Sequence, residues 1–420
     1  MAGQFLACGG TNKNVLILYN PLPKRLRMKT FLLITGFVLL FAVEILRVYF
    51  IMPFPGSQQT NTIDTAYWIA RNIWWLRIVA VLLLAYPAWS LLRRPGLKWK
   101  KAMFLFFLVL YGAVCFMVNF KMEADKMFYQ PKIKQFASGD ANAVPADKLV
   151  IGVALNGEAK AYPIQFIGYH HQVADTVGGQ PVIITYCTVC RTGRVYSPTV
   201  NGKPETFRLV GMDHFNAMFE DAGTKSWWRQ VTGEAIAGPL KGAVLREIPS
   251  QQMSLTAWQR ANPGTLVMQA DSNFKETYEK MANYEKGRSK SDLTRRDSLS
   301  WHDKSWVVGI SYYPFAKAYD WNRLVKERLI QDSFPGLPVL LVLEKDTVSF
   351  HAWSRVLDGN ALQFTKTADP ELIRDGNTGS DWNMDGFCVS GVLKGKKLSL
   401  VKAYQEYWHS WREFHPGTLR

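Results

Sequence analysis

The chain has 420 residues, 48% of them hydrophobic, and a formal net charge of +16. Positions 1 to 101 hold thirteen basic and two acidic residues, so +11 of this charge belongs to the N-terminal quarter. The nearly neutral remainder gives no support for a nucleic-acid-binding surface, and the composition excludes disordered and collagen-like classes. We therefore expect no nucleic-acid partner, and one or two folded domains after a charged N-terminal region.

Three apolar runs follow a predicted cytoplasmic tail of residues 1–30. They are 31–52, 73–92 and 102–120, each close to the roughly 20 residues that a helix needs to cross a bilayer. Basic residues cluster before the first run and between the second and third. The positive-inside rule then places the N-terminus in the cytoplasm and everything after Phe120 outside it. We expect a multi-pass protein of the inner (cytoplasmic) membrane, with the lipid bilayer as a partner.

Ionisable residues interrupt two of these runs. Glu44 and Arg47 lie three positions apart in the first, and Arg77 lies near the start of the second. Such residues can mark a transport path, but near the outer leaflet an ion pair explains them. The sequence therefore favours a structural pair over a pore.

The region outside the membrane repeats itself. Residues 145–270 and 303–420 share motifs in one order, including Val150-Ile151-Gly152-Val153 with Val307-Val308-Gly309-Ile310, and Pro263-Gly264-Thr265-Leu266 with Pro416-Gly417-Thr418-Leu419. Short β-prone segments separated by glycines predict a β-rich α+β domain made of two related copies. Residues 271–302 are dense in charge and predict an exposed polar connector, helical at its start.

A Cys-x-x-Cys motif, Cys187 and Cys190, is the sharpest chemical signal. It follows an apolar β run and precedes a returning strand, so it predicts a strand–turn–strand setting without the helix N-terminus that lowers thiol pKa in thioredoxin-like sites. Arg191 stands where an axial His would follow in a c-type haem site, so no haem is expected. The second copy has Glu344 and Thr347 at the cysteine positions. The site is therefore expected in the first copy alone.

Three interpretations of this pair stay open. The leading hypothesis is a soft transition metal, copper or zinc, bound by both thiolates with further ligands from the fold. The alternatives are a thiol-disulfide oxidoreductase and a structural module with a disulfide staple. Whether the protein is an enzyme, and which protein partner it has, stay open. Candidate additional ligands are His170 first, then His171, Met212, His214 and Cys388.

Each candidate also has a structural interpretation. His170 and His171 are predicted in a strand that enters a tight turn, where adjacent side chains point in opposite directions, so at most one can face the cysteines. The pattern places His214 in a solvated loop. Cys388 replaces Ala235 of the first copy and is expected as a small buried core thiol.

The sequence resembles the bacterial and archaeal family known as domain of unknown function 3179. The likeness covers about residues 145–420 and rests on the order of several motifs: His170 to Asp175, Gly178-Gly179, Tyr186-Cys187-x-x-Cys190, Phe207, Gly211, Asp221, Ser226 to Trp228, Gln230, Thr232-Gly233-Glu234 and Gly238. The resemblance implies a domain and a candidate site, and it implies no activity.

Overall fold

The structure is a computed structural model that describes residues 24–312 and 314–420. It has two units, residues 24–44 with Asn72–Val114, and Ile45–Arg71 with Cys115–Arg420. The predicted tail lies outside the described residues up to position 23. Its last residues belong to the first helix, which begins at Lys24.

Three long helices dominate the N-terminal part: α1 (Lys24–Tyr49), α2 (Ile63–Arg93) and α3 (Lys98–Phe120). All three are long and apolar enough to cross a membrane, as their sequences predict. The helix α2 begins at Ile63, well before the apolar run. Its polar first turns are stabilised by packing, because Ala66 and Ile69 are buried and Tyr67 makes an edge contact with Trp227.

The charged residues of these helices are paired. Glu44 is fully buried and accepts hydrogen bonds from Arg77 at 2.7 and 2.8 Å and from the Tyr111 hydroxyl at 3.1 Å. Arg47 instead contacts Glu123, beyond the end of α3. The acid at position 44 is therefore paired across helices rather than with Arg47 on its own helix.

Six shorter helices follow. They are α4 (Ala124–Met127), α5 (Ile164–His170), α6 (Leu255–Ala261), α7 (Lys275–Lys280), α8 (Trp321–Glu327) and α9 (Trp408–Phe414). The strands up to residue 270 are β1 (Phe136–Ala137), β2 (Leu149–Leu155), β3 (Glu158–Pro163), β4 (Gln172–Val177), β5 (Gln180–Cys187), β6 (Thr192–Tyr196), β7 (Thr199–Val200), β8 (Lys203–Pro204), β9 (Phe207–Asp213), β10 (Asn216–Asp221), β11 (Trp227–Arg229), β12 (Ala235–Ala237), β13 (Gln251–Ser254) and β14 (Leu266–Met268).

The remaining strands lie after residue 300. They are β15 (Trp306–Tyr312), β16 (Phe315–Asp320), β17 (Leu329–Phe334), β18 (Leu337–Leu343), β19 (Phe350–Ser354), β20 (Val356–Leu357), β21 (Asn360–Ala361), β22 (Phe364–Lys366), β23 (Leu372–Asp375), β24 (Asp381–Asn383), β25 (Cys388–Ser390) and β26 (Ala403–Tyr407).

Two of the sheets have corresponding strand orders in the two halves: β4-β5-β6 with β17-β18-β19, and β12-β11-β10-β9 with β25-β24-β23-β22. The third sheet has five strands in the first half, β1-β14-β3-β2-β13, and three in the second, β16-β15-β26. In each half a tryptophan covers a glycine of this sheet, Trp258 over Gly152 on β2 and Trp411 over Gly309 on β15. The domain is thus β-rich, with many small sheets.

The two halves meet along β6 and β26. Arg194 on β6 forms a buried ion pair with Glu406 on β26, and Gln252 donates a hydrogen bond to Gln405 at 3.0 Å. Polar side chains from both halves therefore meet in a buried seam along β6 and β26.

The segment 271–302 is helical at its start, as its sequence predicts, but the expectation that it is exposed is wrong for several aromatic residues. Phe274, Tyr278 and Tyr284 are buried. Their rings fill space against the first half, where Tyr278 bonds His170 at 2.6 Å and Tyr284 makes an edge contact with Tyr186. Because the segment is so rich in charge, its sequence does not indicate that these three aromatic residues are buried.

Candidate functional site

The two cysteines lie in a tight turn between strands. Cys187 is the last residue of β5 and pairs with Thr192, the first residue of β6. We call residues 187–191 the thiol turn. Both cysteines are free thiols with no exposed surface, in the strand–turn–strand setting that the sequence predicts.

The turn distinguishes the two thiols electrostatically. Burial alone raises the pKa of Cys187, but hydrogen bonds from the Cys190 thiol and from the backbone N–H groups of Ala217, Cys190 and Val189 lower it below its ordinary value. Burial and the neighbouring Cys187 hold the pKa of Cys190 well above its ordinary value. Backbone N–H groups thus favour the thiolate of Cys187, as a helix N-terminus does in thioredoxin-like sites, and Cys187 is the more acidic thiol of the pair.

A strained hairpin covers the thiols. His214 and Phe215 connect β9 to β10 with φ of 49° and 65°, the left-handed conformation that bulky side chains rarely adopt. The Phe215 carbonyl oxygen lies 3.5 Å from Cys187 Sγ and 3.3 Å from Cys190 Sγ, and it accepts from either thiol when protonated. Strain held at one position over reactive groups is a feature of functional sites.

The loop that joins α1 to α2 supports this hairpin. Gln58 accepts a hydrogen bond from the Phe215 N–H at 3.1 Å and donates one to the Phe50 carbonyl at 3.0 Å. The Met212 N–H also donates to the Ile51 carbonyl at 2.8 Å. The hairpin conformation is therefore fixed in part by residues that directly follow α1.

The second half of the chain completes the surroundings. Lys304 donates to the Val189 carbonyl at 2.7 Å, and the Tyr407 N–H donates to the Cys190 carbonyl at 3.0 Å. The Ser410 hydroxyl on α9 lies near the Cys190 sulfur and donates its hydrogen bond to Glu406 at 3.1 Å. Burial lowers the pKa of Lys304 to about 8, while the two cysteines favour its charged form. A cation that can exchange its proton near neutral pH therefore lies beside the pair.

A polar cavity of about 580 Å³ adjoins the covered thiols. Phe215 and Lys304, which both contact the thiol turn, form part of its wall. The rest of the wall comes from the α1–α2 loop, the hairpin, the connector with the residue that follows it, and α9. These residues are Gln58, Gln59, Thr60, Asn61, His214, Leu293, Asp303, His409, Arg412 and Glu413. Phe215 and Lys304 therefore lie between the buried thiols and this space.

His170 is placed differently from its prediction. It ends the helix α5 and His171 is the left-handed residue that follows, so neither lies in a strand. The ring nitrogens of His170 bond the Tyr129 carbonyl and, at 2.6 Å, the Tyr278 hydroxyl. Because both nitrogens have partners, His170 would have to give up a hydrogen bond to bind a metal.

The weaker candidates divide between the site and elsewhere. His171 Nδ1 donates to the Tyr186 carbonyl, 2.8 Å away, and Met212 packs against the apolar cluster that contains both cysteines. His214 lies in the covering hairpin, bonded to Asp213 at 2.6 Å. Cys388 is buried in a separate cluster of the second half, beside Trp382, as expected for a core thiol.

The metal hypothesis depends on how many ligands converge. Among residues 24–312 and 314–420, one group of three His, Cys, Asp or Glu side chains brings ligand atoms within 4.8 Å of one another, and it is Glu344, His351 and Asp385. In the described part of the chain the cysteines therefore lack a third ligand of these types. A closed four-ligand zinc site does not fit the cysteines and the described residues around them.

Glu344 of this group lies in the turn between β18 and β19. We call residues 344–349 the carboxylate turn. Arg260 on α6 donates to Glu344 at 2.6 and 2.9 Å and to Asp385 at 3.1 Å, and His351 Nε2 lies 2.6 Å from Glu344. Burial alone raises the pKa of Glu344, but these bonds lower it to about 2. A cavity of about 610 Å³ opens beside the group.

Sequence reasoning did not find the groups around the thiols. Lys304, Phe215, His409 and Ser410 are far from the cysteines in sequence, and no spacing pattern marks them. One usable signal existed for the carboxylate turn, since Glu344 aligns with Cys187 in the internal repeat. A charged residue in place of a cysteine at this position is the feature of the sequence that marks the carboxylate turn.

Comparison with known proteins gives one match. The family model described as "Protein of unknown function (DUF3179)" matches residues 129–418. Searches of curated proteins and of solved structures found no match.

Proposed function

The chain belongs to the DUF3179 family of proteins of unknown function, and from its own site we propose that it is a thiol-disulfide oxidoreductase acting through Cys187 and Cys190. The observation that carries this proposal is the asymmetry of the pair. Hydrogen bonds from backbone N–H groups and from the Cys190 thiol lower the pKa of Cys187, while burial raises the pKa of Cys190. An attacking thiolate paired with a protonated partner is the arrangement that disulfide exchange requires.

The proposed reaction balances in two steps. The Cys187 thiolate attacks one sulfur of a substrate disulfide, the S–S bond breaks, and one substrate thiolate leaves and takes a proton. Cys190 then loses its proton and attacks the Cys187 sulfur, which releases the second substrate thiolate. Two electrons pass from the cysteines to the substrate, and the reverse sequence oxidises a dithiol.

Lys304 supports the second step. It lies close enough for its charge to interact with both sulfurs, and its pKa of about 8 allows it to accept a proton near neutral pH. It therefore acts on Cys190, the thiol that must be deprotonated for the mixed disulfide to resolve.

Thiol trapping of the full-length protein tests the proposal. We expect the pair to change between dithiol and disulfide across buffers of reduced and oxidised dithiothreitol. Cys190→Ser should accumulate a mixed disulfide on Cys187, while Cys187→Ser should form none. Cys388→Ser is the matched control and should behave as the wild type. A pair that stays oxidised into strongly reducing buffers would show an inert staple instead.

Copper(I) binding is the second candidate function, because Met212 packs against the cluster that contains both cysteines. Cys187, Cys190 and Met212 would hold the ion, which prefers thiolate and thioether ligands. Copper(I) titration against a competing chelator checks this candidate. It requires stoichiometric binding that Cys187→Ser abolishes and Met212→Leu weakens, and binding unaffected by both variants contradicts it.

The thiol domain is proposed to lie outside the cytoplasm, anchored by three membrane spans. Large apolar side chains on the long helices are exposed, among them Trp74 (71%), Phe31 (66%) and Val109 (66%), as a lipid-facing surface requires. The basic residues of the tail and of the second connection support a cytoplasmic N-terminus. Disulfides persist on the opposite side of a bacterial inner membrane, where this chemistry has a use.

Reporter fusions after Arg420 test this topology. A reporter that is active only in the periplasm should give signal there, and one that is active only in the cytoplasm should not. The opposite result reverses the orientation while leaving the thiol chemistry untested by this experiment, so trapping of Cys187 is scored in the same strain.

The two halves are proposed to be related copies. The corresponding strand orders of two sheets and the tryptophan-over-glycine contact in each half support this, together with the shared sequence motifs. In this proposal the second copy lost or never acquired the cysteine pair. It serves the first copy by supplying Lys304, Tyr407 and Ser410.

A further inference from the structure

The thiols are reached through a space of limited size. Cys187 and Cys190 have no exposed surface, and the adjoining cavity measures about 580 Å³. Cavities of 300 to 1,000 Å³ are typical of small-molecule sites. Because the thiols are fully buried, any substrate disulfide requires the hairpin of His214 and Phe215 to move, and the size of the cavity favours a small disulfide over one held in a folded protein.

The cavity wall is polar and carries both signs of charge. Asp303 pairs with Arg412 at 2.9 Å, and His214 lies 3.6 Å from Glu413. The loop from Gln58 to Asn61 adds amide and hydroxyl groups, and Phe215 and Leu293 are the apolar residues of the wall. Such a lining disfavours a lipophilic electron acceptor such as a quinone. It complements a ligand that carries ammonium and carboxylate groups together.

His409 provides an open hydrogen-bonding position in this wall. Its Nδ1 lies 3.0 Å from the Asp303 carbonyl, so Nδ1 carries the proton and Nε2 is left as an acceptor. Within the described residues Nε2 has no partner. Burial lowers the pKa of His409 to about 3, which keeps the ring neutral. A neutral acceptor of this kind suits a substrate ammonium group.

We infer that the substrate of the thiol turn is a small zwitterionic disulfide of the cystine or glutathione-disulfide class, bound in the cavity beside Phe215, Lys304 and His409. This inference rests on the proposed function and specifies its substrate. The electron balance is that given above: the substrate disulfide becomes two thiols as Cys187 and Cys190 form a disulfide.

Stopped-flow oxidation of the reduced full-length protein tests the inference. The probes are cystine, glutathione disulfide, cystamine, which lacks carboxylates, and insulin, whose disulfides lie in a protein. We expect the two zwitterionic disulfides to react at least about tenfold faster than cystamine or insulin. His409→Ala should slow them about tenfold and leave oxidation by trans-4,5-dihydroxy-1,2-dithiane unchanged. His302→Ala, at an exposed imidazole paired with Asp297, is the matched control.

Two outcomes overturn the inference: insulin or cystamine reacting as fast as cystine, or His409→Ala leaving the cystine rate unchanged. The dithiane reaction separates these from a failure of the proposed function. If the pair cycles with dithiane and does not discriminate among the probes, the substrate class is wrong and the oxidoreductase proposal stands. If none of the probes oxidises the pair, the oxidoreductase proposal itself fails.

Discussion

The thiol turn and the carboxylate turn each connect the second and third strands of a three-stranded antiparallel sheet. Each is also covered by a helix from the other half of the chain. The helix α9 packs His409 against Phe215 over the thiols, and α6 sends Arg260 to Glu344. One turn nevertheless holds two thiols and the other an ion-pair network. The backbone provides a covered position, and the side chains decide its chemistry.

Of the substitutions proposed, Glu406→Ala is expected to lower the free energy of unfolding the most. It acts on the surroundings of the thiol turn and not on the carboxylate turn. Glu406 is fully buried and pairs with Arg194, which follows the thiol turn on β6. Removing one partner of a buried ion pair leaves an uncompensated charge, so unfolding should become easier by about 3–5 kcal/mol. Urea denaturation measures this. Glu327→Ala, at an exposed pair with Arg323, is the control and should cost under about 0.5 kcal/mol.

If Glu406→Ala lowers the free energy of unfolding by less than about 1 kcal/mol, the buried pair with Arg194 does not support the thiol turn. In that case the two halves would be joined mainly by apolar contacts, and the polar seam along β6 and β26 would not matter for stability.

The glycine pair offers a matched test with a smaller effect. A Cβ at Gly309 would lie 2.1 Å from the Trp411 ring, and one at Gly152 would lie 2.3 Å from Trp258. Each alanine substitution should therefore cost about 1–3 kcal/mol by overpacking. Since Trp411 belongs to α9, Gly309→Ala should also slow thiol exchange at Cys187, although it lies in the other half. Gly152→Ala should displace α6 and leave exchange nearer to the wild-type rate. Equal effects on exchange would argue against this crossed arrangement.

Sequence patterns predicted the elements that depend on local periodicity. The three long helices followed from apolar run length, and the strands on both sides of Cys187 followed from β-prone runs with turn residues between them. His170 was misplaced because its segment is short: seven helical residues from Ile164 cannot be told from a strand by alternation alone. Tertiary packing against Tyr278 and Phe274 decided its conformation.

The surroundings of the thiols could not be predicted from sequence for a different reason. Phe215, Lys304 and Ser410 reach the cysteines through a hairpin, a loop and a helix that are distant along the chain. Their approach depends on how the two halves pack, and a single sequence contains no measure of that packing. The left-handed conformation of Phe215 is likewise invisible in sequence, since Asn and Gly are the residues that normally mark such a turn.

The carboxylate turn should respond to acid more than the thiol turn. Hydrogen bonds from His351 and Arg260 hold the pKa of Glu344 at about 2, below its value in an unfolded chain. A lowered pKa stabilises the fold above about pH 4.5, and this contribution is lost as the pH falls toward 2. Since the site is partly exposed, we expect about 1–2 kcal/mol after screening. Urea denaturation of the wild type and Glu344→Gln should differ by this amount at pH 7 and converge near pH 2.

The smallest predicted effect compares one thiol from each half. The pKa of Cys187 is lowered by hydrogen bonds that outweigh its burial, whereas burial raises the pKa of Cys388. The rate of modification by methyl methanethiosulfonate should therefore reach half its maximum at a lower pH for Cys187 than for Cys388, as read by mass spectrometry of each peptide. Cys190→Ala should narrow the gap, because it removes the thiol that donates a hydrogen bond to the Cys187 sulfur. If the two profiles coincide, the thiol turn does not activate Cys187, and the sulfur at that position is as inert as the core thiol of the second half.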